Sequence, residues 1–214
     1  MTDVHSRALG SSPPTVLMGG TFDPPHVGHL FLAECARHQF QASYVLFLPA
    51  GDPYKKSGST GLPGIANRQP TLAHHRVAMT ALAISGNPAF ALDDRETRRS
   101  GPTYTVDTLE ELHAEGCDNL LLVLGEDALN DLPTWKNPAR ILELATIAVA
   151  PQPWQTSRQS RIQNPESKII EMPPLAISST LIRQRVSDGE PVCYLVPPAV
   201  EAYIRDNDLY RGMA

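Results

Sequence analysis

The chain has 214 residues, 42% hydrophobic and 19% charged, which is enough apolar material for a sizeable core and rules out disorder throughout. A formal net charge of −5 argues against nucleic-acid binding through a broad basic surface, and no apolar run approaches the ~18 residues that span a bilayer. Three cysteines (Cys35, Cys117, Cys193) without CxxC spacing argue against a disulfide framework or a zinc site, so a cytoplasmic location is expected.

Residues 1–14 are polar, end in Ser11-Ser12-Pro13-Pro14 and lack the apolar stretch of a secretory signal, so they read as a flexible tail. Thr15-Val16-Leu17-Met18, stopped by Gly19-Gly20, has the pattern of a buried parallel strand. A helix is predicted from His26 to about Phe40. Its apolar residues (Val27, Leu30, Phe31, Leu32, Cys35, Ala36) cover more than one face, which predicts a largely buried helix. Tyr44 to Leu48, ended by Pro49, completes a β–α–β crossover. Gly51 to Pro70 is a Gly/Ser/Pro-rich loop of a length that marks a functional segment.

The alternation continues with a helix over Thr71–Ser85, a strand over Ala89–Leu92 and a helix over Thr105–Glu115. Asn119–Leu124 is a strand ended by Gly125, Pro138–Leu144 a helix and Thr146–Ala150 a strand. Gln152–Pro165 is a polar linker, Lys168–Met172 a candidate further strand, and Thr180–Val186 and Pro198–Asp206 are closing helices. The expected architecture is one α/β domain over 15–214, helical in its part from about 177 to 210. Its core is a Rossmann-like, doubly wound, mainly parallel sheet with helices on both faces, and its ligands belong beyond the carboxyl ends of the strands.

The chemistry concentrates in the string from Gly19 to His29. Gly19 and Gly20 allow positive φ and let a ligand approach the backbone closely. Pro25 at the helix opening puts His26 and His29 on one face of the first turn, near unpaired N–H groups and the positive end of the dipole. Two imidazole donors at a helix N-terminus suit a polyphosphate, and Gly28 between them leaves room for a base or ribose. No GxxxxGK[ST] string is present, so γ-phosphoryl transfer is not indicated, and a histidine spacing of three without a third ligand speaks against zinc.

Gly20-Thr21-Phe22-Asp23-Pro24 followed by His26-x-Gly28-His29 resembles the signature of the nucleotidyltransferase superfamily related to class I aminoacyl-tRNA synthetases. Within it, the chain resembles the family of bacterial nicotinate-nucleotide adenylyltransferases from Val16 to Tyr210. Further matching strings are His75-Arg76-x-x-Met79, Gly101-Pro102-Thr103-Tyr104-Thr105-x-Asp107-Thr108-Leu109, Gly125-x-Asp127 and Leu132-Pro133-Thr134-Trp135. Ile177-Ser178-Ser179-Thr180-x-Ile182-Arg183 and Tyr194-Leu195-Val196-Pro197 extend it, while Leu181 departs from the acidic residue often found there.

The resemblance implies transfer of the adenylyl group of ATP to nicotinate mononucleotide, giving nicotinate adenine dinucleotide and pyrophosphate, with Mg²⁺ carried by ATP. The alternatives are a related enzyme acting on nicotinamide mononucleotide or phosphopantetheine, and a nucleotide-binding protein without catalysis. Thr103-Tyr104-Thr105 and Trp135 speak against phosphopantetheine, and both histidines with Arg183 speak against a protein without catalysis. His26 and His29 are the implied catalytic pair. With them, Gly19, Gly20, Thr21, Phe22, Gly28, Gly125, Asp127, Ile177, Ser178, Ser179 and Arg183 are implied to bind ATP. Ser178 and Ser179 precede a helix that they can cap, and Arg183 adds a charged fork for phosphate oxygens.

On the acceptor side, Lys55 or Lys56 is implied to reach the mononucleotide phosphate. Thr103, Tyr104 and Thr105 open a helix whose N–H groups suit a carboxylate, alongside a threonine N-cap. Trp135 reads either as a stacking partner for the pyridine ring or as a core or lid residue. Asp127 reads either as a ribose ligand or as a solvated helix-start acid. Arg76 is expected to be a structural ion-pair residue, and Asp93-Asp94 and Arg98-Arg99 to be solvated surface charge. The expected partners are small molecules only, with no nucleic acid and no membrane, and a homo-oligomer is left open.

Overall fold

The computed structural model describes residues 12–51, 69–150 and 167–212. The strands are β1 (Thr15–Gly20), β2 (Tyr44–Pro49), β3 (Phe90–Leu92), β4 (Leu120–Gly125), β5 (Ala145–Ala150) and β6 (Lys168–Ile169). They form one sheet in the order β3-β2-β1-β4-β5-β6, with every pairing parallel. The winding starts at β1, moves outward to β3, then returns to the other side of β1 with β4. The strand order therefore reverses between β1 and β4, where a doubly wound sheet opens a crevice beyond its carboxyl ends.

The helices are α1 (Val27–Gln39), α2 (Ala73–Ile84), α3 (Arg95–Arg98), α4 (Thr105–Ala114), α5 (Glu126–Asp131), α6 (Pro138–Leu144), α7 (Ser179–Ser187) and α8 (Pro198–Asp206), with a 3-10 turn at Leu132–Thr134. Side chains alternate across a strand, so β1 sends Val16 and Met18 to one face and Leu17 to the other. β4 likewise splits into Leu121 and Val123 against Leu120, Leu122 and Leu124. The first face is covered from α1, α2, α7 and α8 through residues such as Ala33, Met79, Ile182 and Val200. The second is covered from α4, α5 and α6 through Val106, Leu109, Leu129 and Ile141. Burial on both faces is why the central strands read as continuous apolar runs.

Several local expectations change. α1 begins one residue late and buries only Ala33 and Ala36; Phe31 is exposed, because a helix laid on a sheet buries one stripe. The strand expected over Lys168–Met172 shrinks to two residues. Beyond it the Ile170 N–H still donates to the Val149 carbonyl (2.9 Å), and Pro173-Pro174 then lacks the N–H groups for a ladder. The short elements α3, α5 and the 3-10 turn are too brief to show a period in sequence. Residues 1–11 of the tail, the loop residues 52–68 with Lys55 and Lys56, and the 152–165 linker lie outside the described residues. Among the described residues no helix is long and apolar enough to cross a membrane.

Arg76 is structural, but its partners are not the expected ion pair. It is buried on α2, and its guanidinium donates to the carbonyls of Thr71 (2.8 Å), Thr21 (2.9 Å) and Gly51 (2.9 Å). One fork thus ties the ends of β1 and β2 to the start of α2. The charges at 93–99 are also more organised than solvated surface. Arg95 bridges Asp93 (2.6 Å) and Glu115 (2.9 Å), and Arg99 pairs with Glu111 (2.6 Å) and donates to the Thr108 hydroxyl (2.8 Å). Only Asp94 and Arg98 form the exposed pair expected.

Gly51 is wedged under this network. A Cβ there would lie 2.1 Å from the Glu96 carbonyl oxygen and 2.8 Å from Thr103 Cγ2. Gly51→Ala is therefore expected to lower the unfolding free energy by about 2 kcal/mol or more in a urea titration, the usual scale for overpacking. An unchanged midpoint would show that α3 moves away without cost.

Candidate active site

β1 runs straight through Gly19 and Gly20, which remain in register with Leu48 and Pro49 of β2. Neither glycine uses the positive φ open to it; the ladder holds both extended. A Cβ at position 20 would stand a tight 3.1 Å from the Phe22 ring, whereas at Gly19 a Cβ would meet nothing within 4 Å. Phe22, at φ 49°, turns its ring into the core against Phe47 (5.7 Å between centroids) and edge-on to His29 (5.1 Å). Its side chain is a core element.

Pro25 lies outside the helix, and His26 is the N-cap of α1, in an extended conformation (φ −143°, ψ 169°). Its backbone N–H donates to His29 Nδ1 (3.2 Å), and the two imidazoles stack with centroids 3.7 Å apart. Because Nδ1 of His29 accepts, the neutral ring carries its proton on Nε2. The Val27 N–H, expected to be unpaired, donates to the Leu195 carbonyl (3.0 Å). His26 is only 6% exposed, its Nδ1 has no hydrogen-bond partner, and burial pulls its pKa down to about 4. A Cβ at Gly28 would lie 3.0 Å from that Nδ1, so the missing side chain makes room for the His26 ring.

The α7 string lies against this turn. Ser178 caps α7 by accepting from the Leu181 N–H (3.1 Å), as its position predicts. The Ser179 hydroxyl donates to the Pro24 carbonyl (2.8 Å), and Arg183 Nη1 donates to the Asp23 carbonyl (2.7 Å). Ile177 packs partly against the core. Asp23 and Tyr210, which the sequence did not single out as functional, lock the turn. The Tyr210 hydroxyl donates to Asp23 Oδ1 (2.8 Å) and the Thr71 N–H to Oδ2 (3.1 Å). The available signal was an aspartate inside an apolar turn, which must find donors once buried.

A cavity of about 300 Å³ opens beyond β1 and β4. Gly19, Gly20, Thr21 and Gly125 meet Thr103, Tyr104, Thr105 and Trp135 there. Tyr104, not a threonine, is the N-cap of α4, and its side chain makes no capping hydrogen bond. Trp135 is half-buried, lines the cavity and donates its Nε1–H to Asp131 (3.3 Å), which makes it a wall rather than a core residue. Asp127 sits exposed in the first turn of α5 and is not among the lining residues.

The cavity is also lined by Glu96, Thr108 and Lys136, polar side chains that the sequence did not mark as site residues. The Thr108 hydroxyl donates to Glu96 (2.8 Å), and burial pushes the Glu96 carboxyl above its ordinary pKa. Among the described residues no group of three or more His, Cys, Asp or Glu side chains is placed to hold a metal ion.

A cytidylyltransferase-like family model matches residues 17–185. The chain is 44% identical over 207 residues to the probable nicotinate-nucleotide adenylyltransferase of Roseiflexus sp. (strain RS-1), covering 94% of this chain and 100% of that protein. It is 41% identical over 196 residues to the probable nicotinate-nucleotide adenylyltransferase of Streptomyces coelicolor, covering 91% of this chain and 100% of that protein. The Plasmodium falciparum nicotinic acid mononucleotide adenylyltransferase, solved complexed with APC and complexed with NaAD, shares the fold. Its TM-score is 0.72 at 18% identity, over 93% of this chain and 98% of that chain.

The buried imidazole makes stability depend on pH. With a folded pKa of about 4 against 6.5 ordinarily, His26 takes up a proton more readily in the unfolded chain. Its contribution is complete above about pH 6.5 and is lost as the pH falls toward 4, by up to about 3 kcal/mol. Urea unfolding at stepped pH is expected to show this loss, and His26→Asn to flatten it; parallel curves for the two proteins would refute the assignment.

Proposed function

The chain belongs to the cytidylyltransferase-like family, and on that premise we propose that it is a nicotinate-nucleotide adenylyltransferase. It joins ATP to nicotinate mononucleotide, giving nicotinate adenine dinucleotide and pyrophosphate on the route to NAD. The observation that carries the site assignment is the meeting of two remote stretches at one place. Arg183 and Ser179 hold the carbonyls of Asp23 and Pro24, so the α7 N-terminus faces the His26–His29 turn.

In this reading the triphosphate of ATP lies between the imidazole stack and the start of α7, and the acceptor occupies the cavity beyond β1 and β4. The acceptor's phosphate monoester is ionised at pH 7 and attacks the α-phosphorus in line, so no general base is needed. The bond from the α-phosphorus to the bridging oxygen breaks, and pyrophosphate leaves. The protein's work is to position two anions and to stabilise the charge that develops on the leaving group. His29 donates through Nε2–H, and His26, neutral at pH 7, keeps that ring stacked and oriented. Ser178, Ser179 and Arg183 hold the outgoing phosphates, and the start of α4 receives the nicotinate carboxylate. Mg²⁺ carried in with the triphosphate would supply further neutralisation of the leaving group.

Purified protein with ATP, magnesium and nicotinate mononucleotide is expected to yield the dinucleotide by chromatography, together with one pyrophosphate per product. Failure to do so refutes the reading. His29→Ala is expected to lower kcat by roughly 100-fold or more, the scale for losing one transition-state donor, while the KM for ATP changes only a few-fold. Wild-type turnover in that variant would remove His29 from the mechanism.

A further inference from the structure

Resting on the reading above, we propose that Lys136 selects the acceptor. Its ammonium pairs with the ring carboxylate of nicotinate mononucleotide and sets the preference over the amide analogue, nicotinamide mononucleotide.

Among the described lining residues, the cavity is apolar and hydroxyl-bearing apart from two charged side chains, Glu96 and Lys136. Lys136 follows Trp135 directly, and its ammonium lies 4.6 Å from the centre of the Tyr104 ring. The cation therefore stands where the tryptophan wall meets the start of α4. It is held by Asp107 in the first turn of that helix, at 2.8 and 3.0 Å. Both partners are substantially exposed, 44% for Lys136 and 37% for Asp107, and ion pairs in that environment hold weakly. An incoming carboxylate can take the place of Asp107 while the ammonium stays over the tyrosine face, where the ring's quadrupole also favours it.

Glu96, the other charged lining residue, has its carboxyl engaged by the Thr108 hydroxyl, so Lys136 is the charge that distinguishes an acid from an amide. An amide offers a neutral acceptor at the same position and gains only an ordinary hydrogen bond, about half as strong as a charge-assisted one. Selection by Lys136 is thus selection by charge and leaves the reacting phosphate untouched.

The test compares both mononucleotides with ATP and magnesium in steady state, using the wild-type chain, Lys136→Met, Lys136→Gln and Lys136→Arg. Lys136→Met and Lys136→Gln are expected to raise the KM for nicotinate mononucleotide about 10-fold with little change in kcat, and to leave the KM for nicotinamide mononucleotide within about 2-fold. Lys136→Arg, which keeps the charge, is expected to retain most of the preference. A substantially exposed lysine is not needed for folding, and unchanged thermal midpoints verify this. If both acceptors lose in parallel, or neither loses, the assignment of Lys136 is overturned while the functional reading stands. If the wild-type chain forms dinucleotide from neither acceptor, the functional reading fails and the assignment fails with it.

Discussion

A carboxylate taken out of water must be met by donors that the protein itself supplies. Asp23 is 6% exposed, and its donors come from far along the chain: the Thr71 backbone and the hydroxyl of Tyr210. Its own carbonyl is held by Arg183, and the carbonyl of Thr21, two residues earlier, by Arg76. Burial and the charge of Asp23 both raise the Tyr210 pKa, so the phenol remains a donor at any physiological pH. Tyr210 reaches this position at φ 67°, a conformation that a non-glycine residue adopts only when its surroundings hold it there. The imidazole stack, the α7 cap and the cavity wall at Thr21 all inherit their positions from this arrangement.

Much of the sheet was legible in the sequence because its central strands are buried on both faces. Residues 15–18, 44–48 and 119–124 have almost no polar side chains to blur the signal, and α6 and α8 open with prolines that mark their starts. The motif strings also located the neighbourhood of the site. Hidden from the sequence was the reason for each residue. The ring of Phe22 packs in the core, and the space at Gly28 is taken up in part by the His26 ring, contacts that exist only once the turn is folded. Arg76 reads as half of an ion pair and serves three carbonyls, because the demand for donors arises from backbone brought together only by folding. Lys136 carried no sequence signal apart from its place beside Trp135.

The chain carries a net negative charge and is read as binding two polyanionic nucleotides, which resolves once the field is considered locally. The starts of α1, α4 and α7 all face the carboxyl-end region of the sheet, and Arg183 and Lys136 stand beside two of them. The acidic side chains near them are largely engaged: Asp23 by Tyr210, Asp107 by Lys136 and Glu96 by Thr108. What an approaching phosphate meets is set over a few ångströms by dipoles and fixed cations, and the net charge matters mainly at long range.

The absent side chain at position 28 has a mechanical meaning. A methyl group there would press on the His26 ring at 3.0 Å, and that ring lies on His29 at 3.7 Å, so a nudge to the first imidazole passes to the second. Bulk at this position would act on a pair of coupled plates: the strain it adds reaches the donor of His29 through the ring that lies between them.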